Sequence, residues 1–382
     1  MPSALFVTND FGPRAGGIET FIIGLIERLP KDSVVVYTSA QDNSEKYDES
    51  WLENFGVRVI RDRTKILLPT PRVARAVSKV AREYRTQSAC FGAAAPLGLL
   101  APTLRRAGVK RIISLTHGHE VWWAKVFPFS LAIRRIGSQI DCLTYLGEFT
   151  RNAISRALTP RARLKMVRIA PGIDIGHFAP LIAGSPPETL RRDMGLENKR
   201  LIVSVGRLVH RKGQDRLIES LAIVRKEISN AHLLLVGEGP YRGKLEEIAA
   251  KEGLSDAVTF IGRVQLEQLP QYIRCGDLFA MPSRSRFRGL EVEGLGIVYL
   301  EASACGIPVI AGKSGGAPDV VQDGITGLVV DGTQNYEISR AIVRILRDPQ
   351  LAHRMGAAGR AWIVDEWSWE KWSAEFQKLL QV

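Results

Sequence analysis

The stretch "APGIDIGHFAPLIAGSPPET" (Ala170–Thr189) indicates how the chain is divided into domains, because the alternation of predicted strands and helices stops there and begins again. It is rich in Gly, Pro and Ser, as linkers between domains usually are. Short apolar runs alternate with amphipathic stretches before it, and the alternation resumes with "LIVSVG" at Leu201. At 382 residues the chain is also too long for one ordinary hydrophobic core. The sequence therefore predicts two domains of the same kind.

The apolar runs on both sides of this stretch are predicted strands. They read ALFVT, VVVYT, VRVI, RIISLT, CLTYL and MVRIA before it, and LIVSVG, HLLLVG, VTFIG, LFAMP, PVIAG and GLVV after it. Several are apolar on both faces, as parallel strands covered by helices must be. Strands that alternate with helices indicate the α/β class with doubly wound, Rossmann-like sheets. Two such domains would face a cleft at the carboxyl ends of their strands, where α/β proteins bind ligands.

Composition and charge describe a globular protein with one strongly basic half. Hydrophobic residues make up 45% of the chain and charged residues 24%. Residues 1–180 contain 26 Lys and Arg against 15 Asp and Glu, whereas the remainder is nearly balanced. This asymmetry favours an anionic partner for the first half: a membrane, a nucleic acid or a phosphorylated acceptor. Four cysteines without metal or disulfide spacing, and no recognisable secretory signal, predict a cytoplasmic protein.

Cations follow two predicted strands of the second half. "RLVHRKGQD" carries Arg207 and Lys212, which can neutralise a diphosphate or can be solvated loop cations. "FIGRV" places Arg263 and Val264 at another strand end, where a base or a ribose can rest. The arrangement suits a nucleotide without requiring a metal ion.

The loop "RSRFRGLEVEGLGIVYLE" (Arg284–Glu301) combines three arginines with two glutamates eight positions apart. Its glycines expose amides at a predicted helix start, where phosphate or sugar oxygens can accept hydrogen bonds. These amides belong to Gly294, Leu295, Gly296 and Ile297. A carboxylate beside a phosphate would be repelled, so we expect Glu293 to bind sugar hydroxyls and Glu301 to bind a ribose diol. The loop is typical of a nucleotide-sugar site.

Two motifs of the first half also follow predicted strands. "NDFGPRAGGIETF" brings Gly16 and Gly17 to the start of a helix, whose free N–H groups can face an anion. This is not the GxGxxG spacing of nicotinamide dinucleotide sites, and a glycine turn on its own can be architectural. "RIISLTHGHEVWW" ends a strand in His117 and His119. Because no partner cluster accompanies them, a hydrogen-bonding or proton-handling role is favoured over a metal site.

Together these motifs resemble the retaining glycosyltransferases of family 4, which have the two-domain GT-B fold. The shared pieces cover the whole chain in order: GPRAGGIE, APGID, GRLVHRKGQD, VGEGPY, FIGRV and EVEGLGIVYLEASACGIPVIA. More closely, TNDFGPRAGGIETF, FGAAAPLGLLAP and THGHEV are similar to actinobacterial members. Those members move mannose from GDP-mannose to the inositol 6-position of phosphatidylinositol monomannoside. The spacing of the residues alone does not distinguish guanine from other bases or mannose from other sugars.

The resemblance implies domains and residue roles. Residues 1–170, with a returning helix at 362–382, would bind the acceptor and face the membrane, and residues 171–361 would bind the nucleotide sugar. The resemblance implies no metal or other cofactor. The implied donor-binding residues are Gly16 and Gly17 near the diphosphate, Arg207 and Lys212 on the diphosphate, Arg263 and Val264 on the guanine, Glu293 through Ile297 on mannose and phosphate, and Glu301 on the ribose. The implied catalytic set is His117, Glu293, Arg207 and Lys212, although the neighbouring His119 leaves open which histidine acts.

A basic amphipathic helix is predicted at "RVARAVSKVAREYR" (Arg72–Arg85). Its cations recur at helical spacing: Arg72, Arg75, Lys79 and Arg82. Such a helix can lie on an anionic bilayer, or it can be a surface helix packed on its own sheet. We expect peripheral attachment to the inner face of the plasma membrane, where a phosphoinositide acceptor would be found.

Other functions remain compatible with these patterns. A glycosyltransferase with another sugar or acceptor, or a nucleotide-sugar epimerase, would carry the same nucleotide-facing residues. A nucleic-acid-binding protein would account for the pI of about 9.7. The chain contains no recognised nucleic-acid motif and no stacking aromatics interleaved with the basic helix, so we expect no nucleic-acid partner.

Overall fold

The computed structural model describes residues 3–14, 16–180 and 187–381. The chain forms two compact units: an N-terminal unit, Met1–Gly172 with Trp369–Val382, and a C-terminal unit, Ile173–Ser368. The expected returning helix, 362–382, is shorter in the structure. Trp362 stays in the C-terminal unit, where its ring lies 5.6 Å from that of Trp367. Residues 181–186 of the predicted linker lie outside the described residues.

The strands and helices follow one another in the alternation that the sequence predicts. The strands are β1 Ala4–Thr8, β2 Val34–Thr38, β3 Arg58–Arg61, β4 Ser88–Phe91, β5 Arg111–Ser114, β6 Cys142–Tyr145, β7 Met166–Arg168, β8 Arg200–Val205, β9 Ala231–Val236, β10 Val258–Gly262, β11 Leu278–Met281, β12 Val309–Gly312 and β13 Gly327–Val330. The α-helices are α1 Gly17–Ile26, α2 Glu45–Phe55, α3 Pro71–Glu83, α4 Ala101–Arg106, α5 Glu120–Lys125, α6 Phe129–Gln139, α7 Glu148–Ser155, α8 Pro160–Arg163, α9 Pro187–Asp193, α10 Gln214–Glu227, α11 Arg242–Lys251, α12 Leu269–Arg274, α13 Ile297–Ala304, α14 Asn335–Arg347, α15 Pro349–Glu366 and α16 Trp369–Leu380.

The N-terminal unit is built on a parallel sheet of seven strands in the order β3-β2-β1-β4-β5-β6-β7. Strands β1 and β2 are buried along their whole length, which explains their continuous apolar sequences. Helix α16 belongs to this unit, since Phe376 lies 5.9 Å from Phe6 and Trp369 stacks near Phe21. The order of the strands reverses between β1 and β4, so a ligand site is expected at the carboxyl ends of those two strands.

The C-terminal unit repeats this design with six parallel strands in the order β10-β9-β8-β11-β12-β13. Its apolar core is separate from that of the N-terminal unit and lies between the sheet and helices such as α10 and α14. The order of the strands reverses between β8 and β11, which are neighbours. The predicted α/β fold with two doubly wound sheets is thus confirmed. No helix in the described ranges combines the length and the apolar character needed to cross a bilayer.

Helix α3 is the packed surface helix that the sequence allowed as the alternative to a membrane helix. Its apolar face, including Val73 and Val77, is buried in the core of the N-terminal unit. Arg72 does not belong to a free basic face, because its guanidinium makes two 2.8 Å hydrogen bonds to the buried carboxylate of Asp62. The other three predicted cations, Arg75, Lys79 and Arg82, are exposed. Helix α3 therefore offers solvent a charged face but no apolar one.

Candidate functional site

The reversal of strand order in the C-terminal unit brings two loops together. One follows β8 and contains Arg207 and Lys212, and the other follows β11 and contains Glu293. The backbone N–H of Arg284 donates a 2.9 Å hydrogen bond to the carbonyl of Arg211, which joins the loops directly. Carboxyl ends of parallel strands at such a reversal are the usual ligand site of doubly wound sheets.

Glu293 lies at the centre of this junction and is buried. One of its carboxylate oxygens accepts from Lys212 Nζ at 2.8 Å and from Arg211 at 2.8 Å. Burial alone would raise the pKa of Glu293, but Lys212 and then Arg211 outweigh it and hold the pKa below its ordinary value. The carboxylate is therefore ionised at neutral pH. Sequence reasoning paired Glu293 with Lys212 only through a ligand, and it missed Arg211 although that residue is adjacent to Lys212.

Helix α13 begins directly after this carboxylate. Gly296 caps the helix with φ 86°, a left-handed conformation that favours glycine, and a side chain there would collide with the ring of Tyr299. The amides predicted to face a ligand belong to the first turn and its approach, where the helix dipole favours an anion. The carboxylate and the helix start thus lie on one segment of backbone, and the loop after β8 brings the two cations to it.

Glu301 lies in the second turn of α13 and is buried. Burial raises its pKa to about 7, and Lys212 opposes that rise. Its Oε2 atom has no hydrogen-bond partner among the described residues. A buried carboxyl with an unused acceptor suits the hydroxyl donors of a sugar, as expected for the ribose.

A buried ion pair beneath the two loops was not predicted. Arg284 makes hydrogen bonds of 2.8 and 2.6 Å to the two carboxylate oxygens of Asp215, and both side chains are buried. Arg284 also contacts the ring of His210. Arg286 pairs with Glu291 at 3.0 Å. Two of the three loop arginines thus bind carboxylates of the same unit, so their charges are already compensated within the protein. "RSRFR" on its own gives no signal for these partners.

The remaining predicted donor residues of this unit lie around the junction rather than in it. Arg207 is exposed, and its carbonyl accepts a 3.4 Å bond from Gln214. Arg263 is exposed and Val264 half-buried, directly after β10. These side chains are placed at strand ends, as predicted, but they do not join the Lys212–Glu293 cluster.

The N-terminal unit has a second polar cluster at the carboxyl ends of β4 and β5. His117 is buried, and its Nε2 lies 2.7 Å from the carbonyl oxygen of Gly92. A carbonyl can only accept, so Nε2 carries the proton and Nδ1 is the acceptor nitrogen. Burial lowers the pKa of His117, which keeps the ring neutral at neutral pH.

Glu120 orders this second cluster and was missed by sequence reasoning. It is fully buried and accepts hydrogen bonds from the backbone N–H of His117 at 2.7 Å and of Ala94 at 3.1 Å. His119 Nε2 lies 3.2 Å from the same carboxylate, and that ring is more exposed than that of His117. The fixed, neutral ring of His117 favours it as the histidine that contacts a ligand. A glutamate three residues after His117 at a helix start was the available signal.

The predicted glycine loop precedes α1 in the same unit. Gly16 caps the helix in an extended conformation, and the space beside Gly17 is open. Ala15 lies outside the described residues. Gly17 is exposed, whereas the carboxylate of Glu19 lies close to Gly16 at the same helix start. Within the described ranges, no group of three or more His, Cys, Asp or Glu side chains is arranged to hold a metal ion.

Comparison with known families matches both units. Residues 15–177 match the family described as "Glycosyltransferase Family 4", and residues 187–362 match the family described as "Glycosyl transferases group 1". The chain is 43% identical over 380 residues to a GDP-mannose-dependent alpha-(1-6)-phosphatidylinositol monomannoside mannosyltransferase of Mycolicibacterium smegmatis, with 98% of this chain and 97% of that protein covered. It is 40% identical over 384 residues to the protein of the same name from Mycobacterium tuberculosis, covering 100% of this chain and 98% of that one.

Solved structures share the fold at low sequence identity. A protein from Anabaena in complex with UDP, named HepE, superposes with a TM-score of 0.83 at 21% identity and covers 100% of this chain and 99% of its own. Sucrose-phosphate synthase from Thermosynechococcus elongatus gives a TM-score of 0.78 at 22% identity, with 99% and 98% covered. At such identities the likeness bears on the fold alone.

Proposed function

The chain belongs to glycosyltransferase family 4, and on that premise we propose that it is a retaining α-mannosyltransferase. It would move mannose from GDP-mannose to the inositol 6-position of phosphatidylinositol monomannoside. Relatives that it matches over nearly their full length are named as GDP-mannose-dependent alpha-(1-6)-phosphatidylinositol monomannoside mannosyltransferases. The observation that carries the proposal is the buried Lys212–Glu293–Arg211 cluster beside the start of α13. It supplies cations for a diphosphate and a carboxylate for sugar hydroxyls within one site.

In the proposed reaction the bond from mannose C1 to the β-phosphate oxygen breaks, and a bond from C1 to the acceptor oxygen forms on the same face. The acceptor proton passes to the departing phosphate oxygen, so GDP leaves with the charge balanced. Lys212 and Arg207 would stabilise the negative charge that develops on that phosphate. Glu293 is already ionised, so it can accept hydrogen bonds from mannose hydroxyls without a change of protonation.

His117 would bind the donor sugar in this proposal. Its Nε2–H is committed to the carbonyl of Gly92, so its Nδ1 can accept a hydrogen bond from a sugar hydroxyl. Glu120 would hold the backbone of His117 in position. The two glycines before α1 would let the donor diphosphate approach the first helix amides.

We propose no metal cofactor, because the cations of the chain can provide the electrophilic assistance that a metal provides elsewhere. Turnover should then be unchanged by EDTA and not increased by Mg²⁺ or Mn²⁺. Loss of activity with EDTA, restored by one of these ions, would contradict this part of the proposal.

We also propose that the N-terminal unit meets the inner face of the plasma membrane, where the lipid acceptor lies. The exposed cations of α3, Arg75, Lys79 and Arg82, would attract anionic headgroups. Arg72 is excluded from this role by its bonds to Asp62.

A transfer assay with an acceptor panel tests the proposal. GDP-mannose or UDP-glucose would be offered with phosphatidylinositol monomannoside, with phosphatidylinositol or with no lipid, and released nucleotide and lipid product would be measured. We expect product only from GDP-mannose with the monomannoside, and an α-linkage by proton NMR. Nucleotide release with UDP-glucose, or a product from another acceptor, would reassign the substrate. A β-linked product would contradict retention.

A further inference from the structure

Helices α5 and α6 of the N-terminal unit form a hairpin whose tip is apolar and exposed. The tip consists of Trp122, Trp123, Phe127, Phe129 and Leu131. Phe127 lies in the short connection and is 77% exposed, and Leu131 is 53% exposed. The ring of Phe129 lies 4.7 Å from Trp122 and 4.9 Å from Trp123. The aromatic tip therefore combines a contiguous cluster of three half-buried rings, Trp122, Trp123 and Phe129, with two exposed apolar side chains, Phe127 and Leu131.

The hairpin is held from its other side. Ile133 and Ile136 on α6 are buried in the core of the N-terminal unit, and Trp123 packs against that core. Phe127 and Leu131 are not needed for this attachment, because they point away from it into solvent. A rigidly held element with exposed apolar side chains is suited to contact a partner.

The charges around the tip indicate the kind of partner. Arg134 and Arg135, on the same helix α6, are exposed. Aromatic rings beside basic side chains are typical of proteins at the boundary between lipid headgroups and acyl chains. The excess of cations in residues 1–180 favours an anionic lipid surface over an acidic protein groove of defined shape, because it is spread over the whole unit.

We propose that the aromatic tip is the apolar anchor with which the N-terminal unit inserts into an anionic lipid surface. Helix α3 cannot supply that anchor, since its apolar face is buried in the core. Reversible binding through cations alone is weak, and stable attachment usually combines a basic patch with an apolar insertion. This inference rests on the proposed function, since it identifies the lipid-contacting element of an enzyme that would act on a lipid acceptor.

Vesicle co-sedimentation of the full chain tests this inference. Phe127→Ser and Leu131→Ser would be compared with Leu164→Ser, which changes a leucine of the same unit that is 89% exposed. Vesicles would contain phosphatidylglycerol with phosphatidylcholine, or phosphatidylcholine alone. Removing one inserted phenylalanine should weaken partition into the anionic vesicles by about tenfold or more, while Leu164→Ser binds like the wild type. Arg134→Gln with Arg135→Gln should weaken binding at low salt and matter little at high salt.

Three results would overturn the inference. Phe127→Ser and Leu131→Ser could partition into anionic vesicles like the wild type. Alternatively, partition could be weakened only by Ile66→Ser and Leu68→Ser, which change two exposed apolar residues before α3. A dimer of the wild type that Phe127→Ser converts to a monomer would assign the tip to a contact between copies. Mannosyl transfer to a short-chain, water-soluble acceptor separates the claims: its absence in the wild type would remove the proposed function, whereas unchanged vesicle binding would remove only this inference.

Discussion

Lys212 and Arg211 both pair with one carboxylate oxygen of Glu293, so removing either cation leaves the other paired with the carboxylate. Replacing Lys212 with Ala leaves Glu293 paired with Arg211, which should keep the carboxylate ionised and the unit folded. The charge on the leaving phosphate would lose its nearest buried cation. We expect the turnover number to fall by about 10² to 10³, the usual effect of removing one preorganised donor.

Steady-state release of GDP measures this effect. Lys244→Ala is the matched control, since Lys244 is an exposed lysine of the same unit and pairs with Glu247 on the surface. A turnover number within a few-fold of the wild type for Lys212→Ala would show that the leaving group is stabilised elsewhere.

Glu301 makes the stability of the protein depend on pH. Its pKa is raised to about 7 in the folded protein, against an ordinary value of 4.5, so the folded state binds this proton more tightly than the unfolded chain. The resulting stabilisation is complete below about pH 4.5 and is lost as the pH rises through about 7. Because Gln cannot ionise, Glu301→Gln should gain stability relative to the wild type as the pH rises, by up to about 3 kcal/mol.

Urea unfolding of both proteins at about pH 5 and about pH 8 measures this difference. The nucleotide must be left out, so that the difference between the two proteins reports the ionisation of Glu301, because the other titrating groups are common to both. A stability difference that is the same at both pH values would mean that Glu301 titrates near its ordinary pKa.

At the scale of the element, the pair of Arg284 and Asp215 holds the loop after β11 against the start of α10. Removing one partner of a buried pair leaves an uncompensated charge and costs about 3–5 kcal/mol. We expect Arg284→Met to destabilise the protein by that amount in urea unfolding. Arg286→Ala, which breaks an ion pair at the surface of the same loop, should cost less than about 1 kcal/mol.

The double variant Arg284→Met with Asp215→Leu distinguishes the effect of charge on stability from the effect of side-chain packing. Replacing both partners by apolar side chains removes the uncompensated charge, so much of the lost stability should return. If the double variant is no more stable than Arg284→Met alone, the packing of the two side chains rather than their charge holds the loop.

Helix α3 should attract an anionic membrane electrostatically without inserting apolar side chains into it. Changing Arg75, Lys79 and Arg82 together to Gln should weaken binding to anionic vesicles at low salt by on the order of a hundredfold, at about 1 kcal/mol per cation. A control triple of exposed arginines in the same unit, Arg151, Arg161 and Arg163, makes the same change of net charge. Equal losses for the two triples would show that net charge matters and α3 does not.

Most of the elements could be predicted from the sequence, because buried parallel strands leave continuous apolar runs. Strand β4, "SACF", could not: it is short, contains Ala and Cys, and runs into an alanine-rich segment that hides its end. Helix α3 was predicted as a helix, but periodicity cannot tell whether an apolar face meets lipid or the protein's own core. That choice depends on contacts with distant strands.

At the scale of the whole molecule, the order of motifs along the chain was sufficient to predict two doubly wound units and a family. The candidate donor site could be predicted as far as Lys212, Glu293 and Glu301, since each lies in a loop after a recognisable strand or in the helix that follows that loop. The partners of these residues within the protein could not. Arg211 and Asp215 act through contacts between segments distant in sequence, which leave no pattern in one sequence. Glu120 could have been found, because it follows His117 by three residues at a helix start.

We propose that the Lys212–Glu293 cluster of the C-terminal unit binds GDP-mannose. Calorimetric titration of GDP-mannose and UDP-glucose into the wild type, Lys212→Ala, Glu293→Ala and Lys244→Ala tests it most directly. We predict that the wild type and Lys244→Ala bind GDP-mannose in preference to UDP-glucose, and that Lys212→Ala and Glu293→Ala both bind it more weakly. Equal affinity for the two donors, or undiminished binding by both cluster variants, would contradict the claim.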